Sequence, residues 1–530
     1  MDFNKAQIEL IKTYIKIVRS EKIQIPSIED VERNGITYGK LEYHFGNLGK
    51  LRKAAKEYAP EVFRNIIDDE IYNPKIFARL REKASEFSKF VITTAVTGCE
   101  VHKGFYQNLR RYCEENNALL LILPSTDPAA IAGWAGMDPC LRANGEQIVM
   151  QDLALNNNIW ISSIKLSAKQ IDPITGLGRI GQRHGSFIYA SPKQRLKLIA
   201  TSNTGKLPKA LMTTGAITKP DYNTERYMSE RTAYISTMDH VIGAVIVELE
   251  PNGHYHFRQI QAEKSGNFVD LGKYYKLEGT STLTPEAIVL GDYHAGETDP
   301  VAEKAFLEVI QELKPRTIVF HDMFNGLSIN HHEKHQHILK AIRAMNDELN
   351  LEAEIKKVSD ALNMYSPLAE ELIVVKSNHD EFLSRYLEEG MYIKDPHNLR
   401  ISLRLALAML DGLDPLKEGT AMCGLKAKNV KWLQRDEDYK VARVELGAHG
   451  DLGGNGSRGN LRSMEHSYGN SVNGHSHTPE ILRGCYQVGT LSYLKLDYNR
   501  GPSSWLQTSC LVYPNGSRQL INAIDGKWRA

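Results

Sequence analysis

Cysteine is sparse in this chain. There are six in 530 residues, at Cys99, Cys113, Cys140, Cys423, Cys485 and Cys510, and none forms a C-x-x-C pair. That excludes a zinc ribbon and a disulfide framework and fits a reducing compartment. No apolar run is long enough to span a bilayer, so no membrane partner is expected. The start, "MDFNKAQIEL", lacks the hydrophobic stretch of a secretory signal. The expected location is the cytoplasm, or the host cytoplasm for a viral protein. An excess of charge is absent too. The net charge is +1, so bulk composition indicates no polyanionic partner, and only the distribution of charge can. What remains is ordinary for a folded protein. The chain is 42% hydrophobic and 24% charged, and its length is that of two to four domains.

Residues 4 to 20 have the spacing of an amphipathic helix, with Ile8, Leu10, Ile11, Ile15 and Val18 on one face. Residues 25 to 58 then read helix, short glycine-containing turn, helix. Ser27 is the expected N-cap, Gly35 the stop, and Lys40, Tyr43 and His44 fall on the second helix. This stretch resembles the helix-turn-helix repeats attached to homing endonucleases, which implies DNA contact through Lys40. A hairpin used for packing or oligomerisation has the same pattern.

From residue 59 to 284 the reading is a mixed α/β region. "KFVITTAV" and "ALLLILP" look like strands around the helix "GFYQNLRRYCEEN", a β-α-β signal. "IWISSIKL", "HGSFIYA", "AVIVELE" and "HYHFRQIQ" are strand-like, and no internal repeat is visible. Within this region "TGLGRIGQRHG" contains Gly176, Gly178 and Gly181, a literal G-x-G-x-x-G. A dinucleotide site needs a strand before it, a helix after it and an acid some 20 residues on. "QRHGSFIYA" reads as loop and strand, and the next acid is Asp221, so no dinucleotide cofactor is expected.

Residues 285 to 530 differ in character. The apolar runs "EAIVL", "TIVF", "ELIVV" and "VARVEL" alternate with long helical or irregular stretches. Clusters of Asp, Asn, His and Gly follow: "GDYHAG", "HDMFNG", "SNHDEF", "GAHGD" and "NGHSHTP". Polar residues at strand ends are where α/β folds place their chemistry. In order and spacing the clusters resemble the calcineurin-like metallophosphoesterase superfamily, with its D-x-H, G-D-x-x-D, G-N-H-[DE], G-H and G-H-x-H motifs. The resemblance spans roughly 200 residues. It implies an α/β (α+β) fold, a β-sandwich flanked by helices, with two divalent metal ions at the strand ends. Carried over by position, Asp292, His294 and His477 hold the first metal, Asp322 bridges, and Asn378, His449 and His475 hold the second. His379 takes the place of the general acid and Asp380 that of its partner. Nitrogen and oxygen ligands without thiolate suit manganese, iron or zinc, between which the donor types alone do not choose; manganese is the metal expected. Two metals can clamp the attacking and leaving oxygens of an in-line displacement.

The sequence departs from the pattern at His321, Asn325 and Ser377, which stand for Gly, Asp and Gly. None of these removes a ligand, though the lost glycines bear on backbone geometry and Asn325 on ligand support. The arginine motifs of protein Ser/Thr phosphatases are missing. "NHHEKHQH" places His331, His332, His335 and His337 around a helix start, but the two-metal set is complete without them.

Between Pro173 and Pro220 there is no acid and there are eight cations: Arg179, Arg183, Lys193, Arg195, Lys197, Lys206, Lys209 and Lys219. An acid-free basic segment in an otherwise net acidic chain is a surface for a polyanion backbone. Arg458, in the glycine-rich stretch after His449, is a further expected phosphate contact. With the phosphodiesterase motifs this points to a DNA nuclease, resembling the double-strand-break repair branch of the superfamily and, in layout, host-DNA-degrading proteins of tailed phages. That resemblance also implies a homo-oligomer. A phosphodiesterase for small molecules or nucleotides, and a DNA-binding regulator with a vestigial metal site, are the alternatives. The expected domains are 1–58, helical; 59–284, accessory; and 285–530, catalytic.

Overall fold

The computed structural model describes residues 3–20, 26, 28–59, 62, 74–125, 137–167, 170–202, 207–222 and 229–530. At the N-terminus four helices, α1 (Lys5–Ser20), α2 (Ile28–Arg33), α3 (Tyr38–Phe45) and α4 (Leu48–Tyr58), follow the expected pattern. They share a core of Ile11, Tyr14, Val31, Leu41 and Leu51, all buried. Asn47 caps α4 by accepting from Lys50 N at 2.9 Å, which satisfies one of the free first-turn N–H groups. Ser27 lies outside the described residues.

The β-α-β reading holds. Lys89–Val96 and Leu119–Ser125 pair in parallel around the helix Lys103–Glu115. They belong to a five-stranded sheet in the order Tyr255–Gln261, Gly243–Leu249, Lys89–Val96, Leu119–Ser125, Gln147–Ile148. A six-stranded sheet runs Val430–Leu433, Glu371–Val375, Thr317–Phe320, Ala287–Val289, Thr508–Val512, Arg518–Asn522. Both have the same plan, parallel strands on one side and two antiparallel strands on the other. Their edges adjoin, where Asn522 Nδ2 donates to Phe257 O at 3.1 Å.

Both sheets pack one face on a single ten-stranded sheet. Its two arms are Leu153–Ala154, Ile159–Ile161, Ser186–Tyr189, Lys209–Thr213, Arg195–Ile199 and Lys440–Val441, Val444–Glu445, Ser471–Asn473, Cys485–Gln487, Glu480–Leu482. From the outer edge inward each arm pairs antiparallel, parallel, parallel, antiparallel. The arms meet antiparallel at Leu196↔Ile481. The shared core holds Ile92, Leu121, Ile188, Met212, Val289, Val319, Ile373, Val472 and Tyr486, with helices covering the far faces of both smaller sheets. The chain is thus a mixed α/β sandwich flanked by helices, in which one topology occurs twice.

This alters three expectations. The ten-stranded sheet crosses residue 284, so the middle region is the first half of the sandwich. The repeat invisible in the sequence is one of topology. "VARVEL" is a hairpin rather than one strand, because Ala442 and Arg443 both take positive φ (49° and 66°) in a two-residue turn. In addition, residues 178–184 form a short helix, preceded by turns and not by a strand. Gly181 packs that helix on the sheet. A Cβ there would meet Ile199 Cδ1 at 2.5 Å, so its glycine serves helix–sheet contact. Among the described residues no helix is long and apolar enough to cross a membrane.

Candidate metal centre

The second half places the polar clusters at the ends of its central strands. Asp292 and His294 follow Ala287–Val289, Asp322 follows Thr317–Phe320, Asn378 and His379 follow Glu371–Val375, and His475 and His477 lie between Ser471–Asn473 and Glu480–Leu482. Four of these side chains sit on left-handed backbone: His294 (φ 49°), Asp322 (46°), His475 (77°) and His477 (58°). Each such conformation costs a non-glycine residue on the order of 1–3 kcal/mol and persists only where the surroundings hold it.

Asp292, His294, Asp322 and His477 are all buried, and one donor atom from each lies within 4.8 Å of the other three. His477 Nε2 is 3.2 Å from Asp292 Oδ2, and His294 Nε2 is 3.6 Å from Asp322 Oδ2. The two histidines face each other Nε2 to Nε2 at 3.0 Å. The other oxygen of Asp322 faces a second set: His449 Nε2 is 3.3 Å from Asp322 Oδ1 and 3.2 Å from Asn378 Oδ1. The His475 ring centroid is 5.3 Å from that of His449. The structure therefore brings all seven expected ligands together around Asp322, in two sets.

The electrostatics are those of a site short of positive charge. Burial, and then the Asp322 carboxylate, push Asp292 up to about 7. Neither Asp292 oxygen receives a well-formed hydrogen bond. Burial holds His477 down at about 3 and His294 well below its ordinary value. For His449, burial acts downward but the Asp322 carboxylate outweighs it and lifts the ring to about 9. Two buried carboxylates with the neutral imidazoles of His294 and His477 turned inward fit divalent cations with nitrogen and oxygen ligands.

The departures from the pattern have structural roles. Asn325 Oδ1 lies 3.1 Å from His294 Nδ1, which orients the ring so that Nε2 faces inward. Its backbone oxygen accepts from His379 Nδ1 at 2.7 Å. Ser377 Oγ donates to Asp380 Oδ2 at 2.9 Å. Asp380 is consequently not the partner of His379. Its carboxylate is taken up by Ser377 N and Oγ and, at 3.1 Å, by Phe324 N, so that it ties the two ligand loops together. Gly474 is needed where it stands, because a Cβ would overlap Asp292 Oδ1. His331 and His332 pack edge-on against Phe382 and make no metal cluster among the described residues.

Sequence reading missed Trp505, whose ring packs 4.1 Å from His477. Only an aromatic residue in the loop between Cys485–Gln487 and Thr508–Val512 marks it. The expected DNA contacts divide. Arg179, Arg183, Lys197, Lys40 and Arg458 are exposed. Lys193 and Arg195 are buried and are corrected to structural residues. Lys193 Nζ is 3.2 Å from Asp239, and Arg195 is 2.6 Å from Glu480 and 3.4 Å from Asp172. The segment is acid-free in sequence but not in space. Lys206 lies outside the described residues.

The chain matches no protein-family model. It is similar to "Protein A1" of Escherichia phage T5, 26% identical over 98% of this chain and 96% of that protein. Among solved structures it is similar to Vps29 of Chaetomium thermophilum, 12% identical over 37% of this chain and 98% of that one, at a TM-score of 0.20. A similarity that runs the whole length of a phage protein supports a phage origin for the chain.

Proposed function

We propose that the chain is a divalent-metal-dependent phosphodiesterase that cleaves DNA. The observation that carries this reading is Asp322, buried, with its two oxygens turned to two separate sets of nitrogen and oxygen donors. Asp292, His294 and His477 would hold one cation, Asn378, His449 and His475 the other, and Asp322 both, with manganese the metal expected. Bound there, the cations would supply Lewis-acid polarisation of the phosphodiester. The protein's part is positioning and proton transfer. Asn325 O accepts from His379 Nδ1, which leaves Nε2 as the atom that gives a proton to the leaving oxygen when the ring is charged. Phe382 stacks on His379 at 4.8 Å and holds the ring plane. DNA as the substrate draws support from the exposed cations Arg179, Arg183 and Lys197 on the first half. It draws support also from the α2–α3 hairpin, on which Lys40 is exposed.

The test is incubation with linear and circular duplex DNA in Mn²⁺, Mg²⁺ or EDTA, alongside His379→Ala and Asp322→Ala. Metal-dependent cleavage that both variants lose is expected. Intact DNA in every lane sinks the reading. Cleavage of a chromogenic diester alone would favour a small-molecule phosphodiesterase.

A further inference from the structure

The repeated topology allows the two halves to be compared position by position. In the second half Asp292 N donates to Gly489 O at 3.1 Å and Leu491 N to Asp292 O at 2.9 Å. In the first half Thr94 N donates to Gly215 O at 3.2 Å and Ile217 N to Thr94 O at 2.8 Å. Thr94 thus stands where Asp292 stands, and its hydroxyl is already spent on Thr214 Oγ1 at 2.6 Å. The first half has the architecture of the second without this ligand.

A groove of about 760 Å³ lies between the halves. Arg183 and Lys209 line it from the first half and Lys495 and Trp505 from the second. Trp505 also packs on the ligand His477, so groove and metal centre share a wall. The groove's cations differ from the buried cations Lys193 and Arg195. Lys193 and Arg195 are neutralised by carboxylates, whereas Arg183, Lys209 and Lys495 pair with none among the described residues. Lys209 Nζ donates to Gln182 O, and Lys495 Nζ to Asn499 O at 2.7 Å, bonds that fix the ammonium groups without cancelling their charge. The one carboxylate of the lining, Asp525, is engaged by His254 at 2.9 Å.

We propose that this groove seats a single-stranded segment of the DNA substrate beside the metal centre, which rests on the nuclease reading above. The volume is that of a site for a few nucleotides and far too small for a duplex. Unpaired cations on both walls match phosphates, and an indole offers an unstacked base a face that a paired base does not need. With a candidate metal cluster, among the described residues, only in the second half, the strand reaches one centre, at one end of the groove.

The experiment measures binding of a fluorescent oligo-dT by anisotropy in EDTA, so that cleavage does not enter. Wild type is compared with Arg183→Glu/Lys495→Glu, with the neutral pair Arg183→Gln/Lys495→Gln, and with the charge-matched control Lys314→Glu/Lys356→Glu. The reversal pair is expected to weaken binding at least tenfold. The neutral pair is expected to lower the salt slope by about 1.4, the value for two lost single-strand contacts. The control is expected to bind as wild type does. Unchanged binding by both groove pairs overturns the proposal, as does an equal loss for blunt duplex of the same length. Cleavage is scored separately on wild type with Mn²⁺. Groove-dependent binding without cleavage would refute the nuclease reading and leave the groove standing.

Discussion

His379 Nδ1 lies 2.7 Å from the backbone oxygen of Asn325. A carbonyl can only accept, so Nδ1 carries the proton and Nε2 is the working nitrogen. His379 is not among the seven residues that surround the cation positions. His379→Ala is therefore expected to lower DNA cleavage by about a hundred- to ten-thousand-fold, the usual weight of a general acid. Bound manganese, measured by elemental analysis after desalting, should stay at the wild-type level. A variant that loses its metal along with its activity would make His379 a ligand and not the acid.

Asp322 joins both donor sets, so its removal is expected to act on both. Manganese should raise the melting temperature of the wild type by roughly 2–5 °C at saturating concentration, because it binds the folded form alone. Asp322→Ala should show no such rise and no cleavage, and EDTA should return the wild type to the same baseline. A full manganese-dependent rise in Asp322→Ala would remove the bridging role.

Gly474 and Gly454 make a matched pair. At Gly474 a methyl group would overlap Asp292 Oδ1, while at Gly454 it would meet nothing within 4 Å. Gly474→Ala is expected to cost about 1–3 kcal/mol by overpacking and to abolish the manganese-dependent thermal rise. Gly454→Ala should stay within about 0.5 kcal/mol of wild type. Denaturant titration with and without manganese reads both.

The grouping of the candidate ligands was legible because each lies within a few residues of an apolar strand, and strand and polar cluster are both local signals. Asp292 behind "EAIVL" and Asp322 behind "TIVF" are of this kind. The doubled architecture was not legible, because what repeats is strand order and direction. Leu196 and Ile481, the residues at the join, are far apart in sequence, and the matched positions Thr94 and Asp292 have lost any chemical likeness. The charge reading failed at Lys193 and Arg195 for the same reason. Lys193 and Arg195 lie in a stretch without acids, and their partners Asp239 and Glu480 arrive by folding. The role of Asn325 lay half in its backbone oxygen, which no side-chain pattern can announce.

A buried ion cluster sits at the seam between the five- and six-stranded sheets. Arg258 is buried there, with Nε 2.5 Å from Asp270 Oδ1 and Nη2 3.0 Å from Glu248 Oε1, and Gln519 Nε2 reaches the same Asp270 oxygen at 2.7 Å. Burial pushes the Glu248 carboxyl up, but Arg258 and Lys89 outweigh it and bring it down from 4.5 to about 2. A carboxyl held low in the folded state leaves protons to be taken up by the unfolded chain alone between those two values. Its contribution, on the order of 3 kcal/mol, is therefore complete above pH 4.5 and is lost as the pH falls toward 2. Arg258→Met should cost about 3–5 kcal/mol near neutral pH, since it takes the guanidinium from two buried carboxylates and leaves Glu248 with Lys89 as its remaining ion-pair partner. Acid should then offset part of that loss. The stability gap between variant and wild type, followed by urea titration from pH 7 down to pH 3.5, is expected to narrow. A gap that is constant with pH would mean that Arg258 acts through packing and not through charge.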